Sequence, residues 1–138
     1  MSGRSVALIA GVWIPALFIF GGILVVPIRW NKSRLYGQET AALKAIQTLN
    51  TAQVQYKSEF GRYARSLTEL AVLAASEKQG YKFTLMPTPE GYSIQAVPTA
   101  FGVTGSRTFY SDQSLVIRQN YGPEPATPGS REVGRAAR

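Results

Sequence analysis

Thr40-Ala41-Ala42-Leu43-Lys44-Ala45-Ile46-Gln47-Thr48-Leu49-Asn50-Thr51-Ala52-Gln53 is the stretch that decides the fold. Ala42, Ile46, Leu49, Gln53, Tyr56 and Phe60 recur at steps of three or four, which places them on one face of a helix. Only Gln53 interrupts that face, while Glu39, Lys44, Gln47, Gln55 and Lys57 fall largely off it. The expected core face is therefore Ala42, Ile46, Leu49, Tyr56 and Phe60. A stripe of this kind ordinarily packs on the protein's own sheet; binding a partner helix is the other reading. Gly61, in Phe60-Gly61-Arg62-Tyr63, is placed to end the helix as a left-handed C-cap.

Upstream, Val6 to Ile28 carries no charged side chain, and the Trp13 indole is its one hydrogen-bonding group. At 1.5 Å per residue the run reaches about 35 Å, enough for a hydrocarbon core of about 30 Å. Residues 1–5 form a flank and 6–28 an expected transmembrane helix, with Val6, Trp13, Pro15, Phe18, Phe20, Val25, Ile28 and Trp30 as anchor residues. A secretory signal would have a shorter apolar region and a small-residue cleavage site; Ile28-Arg29-Trp30 is not one. Arg29, Lys32 and Arg34 follow, suited to lipid head groups. With no Pro between Ile28 and Leu35, the span is expected to continue, kinked, into the amphipathic helix.

Downstream, Ser66-Leu67-Thr68-Glu69 has capping-box spacing and predicts a short helix over Leu67–Lys78, closed by Gly80. The period then changes to two. Tyr81–Leu85 and Tyr92–Val97 alternate as strands around the turn Pro87-Thr88-Pro89-Glu90-Gly91. A loop over Pro98–Arg107 leads to a third strand, Thr108-Phe109-Tyr110. Ser111–Ser114 supplies a turn, and Leu115–Arg118 a fourth strand. Residues 29–120 thus read as one α+β domain. From Tyr121 the chain is rich in Gly, Pro, Ser and Arg, and 121–138 is expected to be a disordered tail.

Composition narrows the chemistry. The 138 residues include no Cys and no His, which excludes a Cys nucleophile, a Ser-His-Asp triad, a Cys/His zinc site and disulfides. Asp occurs once, at Asp112. Asp112 with Glu90 is too small a set for calcium, which takes six to eight oxygens, and Ser111–Ser114 is ordinary turn chemistry. The net charge is +7, concentrated before Leu35 at Arg4, Arg29, Lys32 and Arg34 rather than on the folded part, which speaks against nucleic acid. No convergent titratable groups suggest an enzyme, a cofactor, a metal or a small-molecule substrate.

The order of elements, with Thr40–Gln53 followed by Tyr56, Phe60-Gly61-Arg62-Tyr63, Ser66-Leu67-Thr68-Glu69-Leu70, Gly91-Tyr92-Ser93-Ile94-Gln95-Ala96 and Arg107–Ser114 with Val116-Ile117-Arg118, resembles type IV pilins and type II secretion pseudopilins over about residues 35–120. The family's processing signal is absent: Gly3-Arg4 precedes the apolar run, and Val6–Ile28 has no Glu. The expected fold is α+β and pilin-like, a single transmembrane helix continuing into a long amphipathic helix packed on about four antiparallel strands. The resemblance implies a single-pass, non-enzymatic component of a type IV pilus or type II secretion system. Its partners would be membrane lipids and other pilin-like subunits or assembly-platform proteins. It also implies a bacterial inner-membrane location, N-terminus inside and domain in the periplasm, although Arg29, Lys32 and Arg34 argue mildly for the reverse orientation. The other reading is a membrane-anchored extracytoplasmic binding or sensor module that never polymerises.

Overall fold

The computed structural model describes the backbone of residues 5–71, 77–78 and 80–135, and side chains from 32 to 71 and from 80 to 135. Helix α1 covers Ser5–Phe60. The chain divides into two units, Met1–Ser33 and Arg34–Arg138, and the side-chain architecture belongs to the second. There α1 is followed by β1 (Glu77–Lys78), β2 (Tyr81–Thr88), β3 (Gly91–Pro98), β4 (Arg107–Asp112), β5 (Ile117–Tyr121) and β6 (Arg131–Glu132). The strands pair in sequence order as one antiparallel meander.

The expected fold is corrected on both of its halves. Among the described residues no helix is long and apolar enough to cross a membrane, and the sheet has six strands rather than about four. The anchor positions Val6, Trp13, Pro15, Phe18, Phe20, Val25, Ile28 and Trp30, and the head-group position Arg29, lie outside the residues whose side chains are described. The two extra strands, β1 and β6, are each two residues long, too short to show the alternation by which a strand is recognised in sequence.

Register explains the core. Phe83 pairs with Ala96 and Leu85 with Ile94, Ala96 pairs with Phe109, and Ile94 with Ser111. Because side chains alternate across a strand, these residues share the face turned to the helix. Ala42, Ile46 and Leu49 pack there against Tyr81, Phe83, Leu85, Tyr92, Ile94, Ala96 and Phe109. Gly105 fits beside Tyr81 because it lacks a Cβ, which would run into the Tyr81 ring; the Tyr81 hydroxyl then donates to Arg107 O at 2.8 Å.

Three further expectations change. The hairpin turn contracts to Pro89-Glu90, since Thr88 pairs with Gly91. Pro87 is tolerated within β2 because β1 pairs only with Tyr81 and Lys82, leaving it on a stretch of edge. The helix expected over Leu67–Lys78 does not form where the chain is described: Leu67–Ala71 are turns, Ala71 has φ 55°, and Glu77–Lys78 is strand. Residues 72–76 lie outside the described residues. One capping-box bond forms, Glu69 N–H donating to Ser66 Oγ (3.2 Å), but the Glu69 carboxylate accepts from Arg65 N–H (2.8 Å), one residue before the expected N-cap.

The tail expected to be disordered is structured through Arg135. Tyr121 ends β5, residues 122–130 fold back, and β6 pairs with Arg118 and Gln119. Ala126 is buried, Thr108 Oγ1 donates to Glu124 O at 2.7 Å, and Arg118 donates to Ser130 O at 2.9 Å. Thr108 and Tyr110 lie on the face of β4 away from the helix, yet both are buried. Over Thr108 the segment supplies that cover through the Glu124 carbonyl, which Gly/Pro-rich composition does not reveal.

Candidate functional site

Three polar side chains fix the helix to the rest of its unit. Glu39 is buried, accepts three hydrogen bonds and pairs with a guanidinium. Its Oε1 receives Ser106 N–H (2.9 Å) and Ser106 Oγ–H (2.7 Å), and its Oε2 receives Arg107 Nε–H (2.8 Å), with Arg107 Nη2 2.7 Å away. Burial pushes its carboxyl up, but the Ser106 and Arg107 bonds outweigh that and hold it below the usual carboxylate range. Arg107 also donates to Gln119 Oε1 (2.7 Å) and lies between the Phe109 and Tyr121 rings, 5.3 and 5.7 Å from their centroids.

Asn50 donates to Ser111 Oγ and accepts from the Tyr92 hydroxyl, both at 2.9 Å, and the Ser111 hydroxyl donates to Val116 O at 3.0 Å. Gln53 is fully buried. Its Oε1 accepts from Ala64 N–H (2.8 Å) and its Nε2 donates to Ala64 O (3.0 Å), so one amide closes both backbone groups of the chain returning from Gly61. Gly61, at φ 74°, donates to Lys57 O and ends the helix. Burial raises the phenols of Tyr81, Tyr92 and Tyr110 above their ordinary range, leaving them neutral hydrogen-bonding groups at neutral pH.

The core-face positions from the sequence separate. Ala42, Ile46 and Leu49 are inside the core, Tyr56 is half-buried, and Phe60 is 62 % exposed. The stripe runs on past the sheet, so its last two aromatics stack on each other, with ring centroids 4.5 Å apart. Lys32 and Arg34 are exposed. Glu39 is a correction: it was set off the apolar face, and it is buried on it. Asp112 is occupied as turn chemistry, its Oδ1 accepting from Ser114 N–H at 2.9 Å and its Oδ2 from the Tyr110 hydroxyl at 3.3 Å. Among the described residues no three His, Cys, Asp or Glu side chains gather to hold a metal ion.

What the arrangement leaves open are the two flanks of the helix. On one, Gln47, Asn50, Thr51 and Val54 line a groove of about 300 Å³ with Leu115, whose φ of 66° sets it at the tip of the β4–β5 turn. Val54 and Leu115 are each about half exposed. On the other flank, Tyr56, Glu59 and Phe60 line a groove of about 350 Å³ with Glu69 and Leu70. Arg62 lies over the Tyr56 ring and is paired with Glu69 at 3.2 Å. These are shallow, mixed surfaces suited to another protein surface rather than to an enclosed ligand. Neither was singled out from sequence, although the three-four spacing of Gln47, Asn50, Thr51 and Val54 was there to be read. Comparison with family models, with curated proteins and with solved structures found no match.

Proposed function

We propose that this chain is a non-enzymatic assembly component of the pilin-like kind, working by protein–protein packing within a type IV pilus or type II secretion type of system. The observation that carries the reading is the division of labour on one helix: one face is sealed onto its own sheet, while both flanks present shallow grooves with exposed Val54, Leu115 and Phe60. Exposed apolar patches rimmed by polar groups are a mark of interaction surfaces. The order of helix before antiparallel meander and the sequence resemblance over residues 35–120 support the same reading. Its partners would be copies of related subunits or assembly-platform proteins. The domain would stand at the extracytoplasmic surface of a bacterial inner membrane.

The absence of Cys from the sequence makes a clean test. Single-cysteine variants Val54→Cys and Phe60→Cys of the full chain, treated with a bis-maleimide in intact cells of the native host, are expected to give cross-linked species containing a second pilin-like subunit or a platform protein. Thr84→Cys, exposed on the face of β2 away from the helix, is the control. Monomer alone at Val54 and Phe60 refutes assembly and leaves the non-polymerising binding module.

A further inference from the structure

The loop between β3 and β4 is built unlike the rest of the surface. Between Glu90 and Arg107 the sequence contains no charged residue, and the tip Ala100-Phe101-Gly102-Val103 is exposed throughout. Phe101 is 44 % and Val103 51 % exposed. Two large apolar side chains are thus held in water at the end of a loop that is not loose. Val103 and Thr104 N–H both donate to Ala100 O (3.0 and 2.9 Å), and Gly102 N–H donates to Gly105 O (2.7 Å). The Thr104 hydroxyl accepts from Ala100 N–H at 3.1 Å. The tip's backbone donors at Ala100, Gly102, Val103 and Thr104 are satisfied inside the loop. Such a segment enters an apolar medium without orphaning those groups, whereas an ordinary loop would lose its hydrogen bonds to water.

The loop's place in the unit gives it a direction. Ser106, which follows it, is bound to Glu39, and Thr104 and the Gln38 amide both close on Gly80. Its base therefore adjoins the first turns of the Arg34–Phe60 part of the helix. Tyr36 lies one turn before Glu39, about 4.5 Å along the axis, and is 71 % exposed; Arg34 beside it in sequence is exposed too and takes part in none of the salt bridges among the described residues. An amphipathic aromatic, a cation and a hydrogen-bonded apolar tip at one end of the unit match the chemistry of a phospholipid interface: apolar side chains below the head groups, a tyrosine at their level, and a positive charge for the phosphates. A protein partner would not require the tip to be without charge over its whole length.

We propose that the Ala100–Val103 tip is a lipid-contact element that seats this end of the domain on the phospholipid surface, with Tyr36 and Arg34 at head-group level. The proposal rests on the membrane location given above, and the experiment separates the two. The full chain carrying Ala100→Cys, labelled with an environment-sensitive fluorophore, is reconstituted with vesicles of mixed zwitterionic and anionic phospholipid containing an acyl-chain quencher. Glu90→Cys, at the β2–β3 turn, is labelled as control. Expected are co-flotation of the chain with the vesicles, a blue-shifted and lipid-quenched signal at position 100, and a water-like signal at position 90. In the Ala100→Cys background, Phe101→Ser with Val103→Ser should abolish the quenching at least severalfold while flotation persists. A chain that floats with position 100 as water-exposed as position 90 overturns the lipid contact and leaves the location standing. A chain that does not float overturns both.

Discussion

Replacing Gln53 by Ala removes the one side chain that satisfies both backbone groups of Ala64. Ala64 is itself buried, and its N–H and C=O meet the Gln53 amide at 2.8 and 3.0 Å. With the amide gone both become buried and unpaired, at about 1–3 kcal/mol each. The expected loss is therefore about 2–6 kcal/mol, a large part of the ~5–15 kcal/mol that stabilises an ordinary domain. Gln53→Glu gives the sharper test. A protonated carboxyl reproduces the pair of bonds, accepting through C=O and donating through O–H, whereas a carboxylate turns an acceptor toward Ala64 O. Burial and that carbonyl raise the new group's folded pKa above its unfolded value of about 4.3. The raised acid binds its proton more tightly in the folded state, so the penalty is smallest below the unfolded pKa and grows as pH rises through the folded pKa. Urea denaturation followed by circular dichroism, on full chains in the same mild detergent, gives the difference from the parent at each pH. A loss below about 0.5 kcal/mol for Gln53→Ala, or a Gln53→Glu difference that does not shrink on acidification, refutes the assigned role.

Other expectations follow from the same geometry. Glu39→Ala leaves Arg107 facing a buried vacancy and should cost about 3–5 kcal/mol in thermal or urea unfolding; because the Glu39 carboxyl is held below the usual range, its contribution is present above the unfolded pKa and lost as pH falls through the folded one, so Glu39→Gln should flatten the acid limb of the stability profile. Ile46→Ala and Leu49→Ala, both at fully buried positions, should each lose about 2–5 kcal/mol, and a change below about 0.5 kcal/mol at both would mean the face does not meet the sheet. Ending the chain after Asn120 removes the Glu124 carbonyl from Thr108 along with β6; amide exchange in β4 should accelerate markedly, and unchanged protection would return residues 121–135 to the status of a dispensable tail.

Periodicity served well where burial was one-sided and failed where it was not. The 3–4 spacing placed Ala42, Ile46 and Leu49, and the alternation of Tyr81–Leu85 and Tyr92–Val97 placed the central hairpin, because in each a single face meets the core. The same spacing carried back one step from Ala42 lands on Glu39, a charged residue that an apolar stripe does not include. Its partners, Ser106 and Arg107, are 67 and 68 residues away, a pairing no local pattern contains. Gln53 was visible as the odd polar residue in an apolar row, but its partner is backbone and carries no side-chain signal. Strand β4 is buried on both faces, and at Thr108 the second cover is a Gly/Pro-rich segment whose composition imitates disorder. The Ser66–Glu69 pair formed one of its two expected hydrogen bonds, and the described residues Leu67–Ala71 are turns, since a capping contact stabilises a first turn without supplying the packing that sustains the next.

Glu39, Asn50 and Gln53 also bear on the flanks. Apolar packing alone is tolerant: Ala42, Ile46 and Leu49 would fill much the same space after a one-turn slide of about 5.4 Å along the helix axis. The polar ties do not allow it. Glu39 is bound to the β3–β4 loop, Asn50 to β3 and β4 together, and Gln53 to the chain after Gly61. A slide would break all three sets at once and leave buried polar groups unpaired. Rotation about the axis is blocked for the same reason, because the three side chains reach three different segments. The rows Gln47–Thr51–Val54 and Tyr56–Phe60 are therefore presented at fixed height and angle beside Leu115 and Leu70. If the chain works as the proposed assembly component, this fixed presentation serves it, since a small error in each contact would accumulate along the assembly. A helix held by apolar contacts alone would fold as well and position its flanks less sharply.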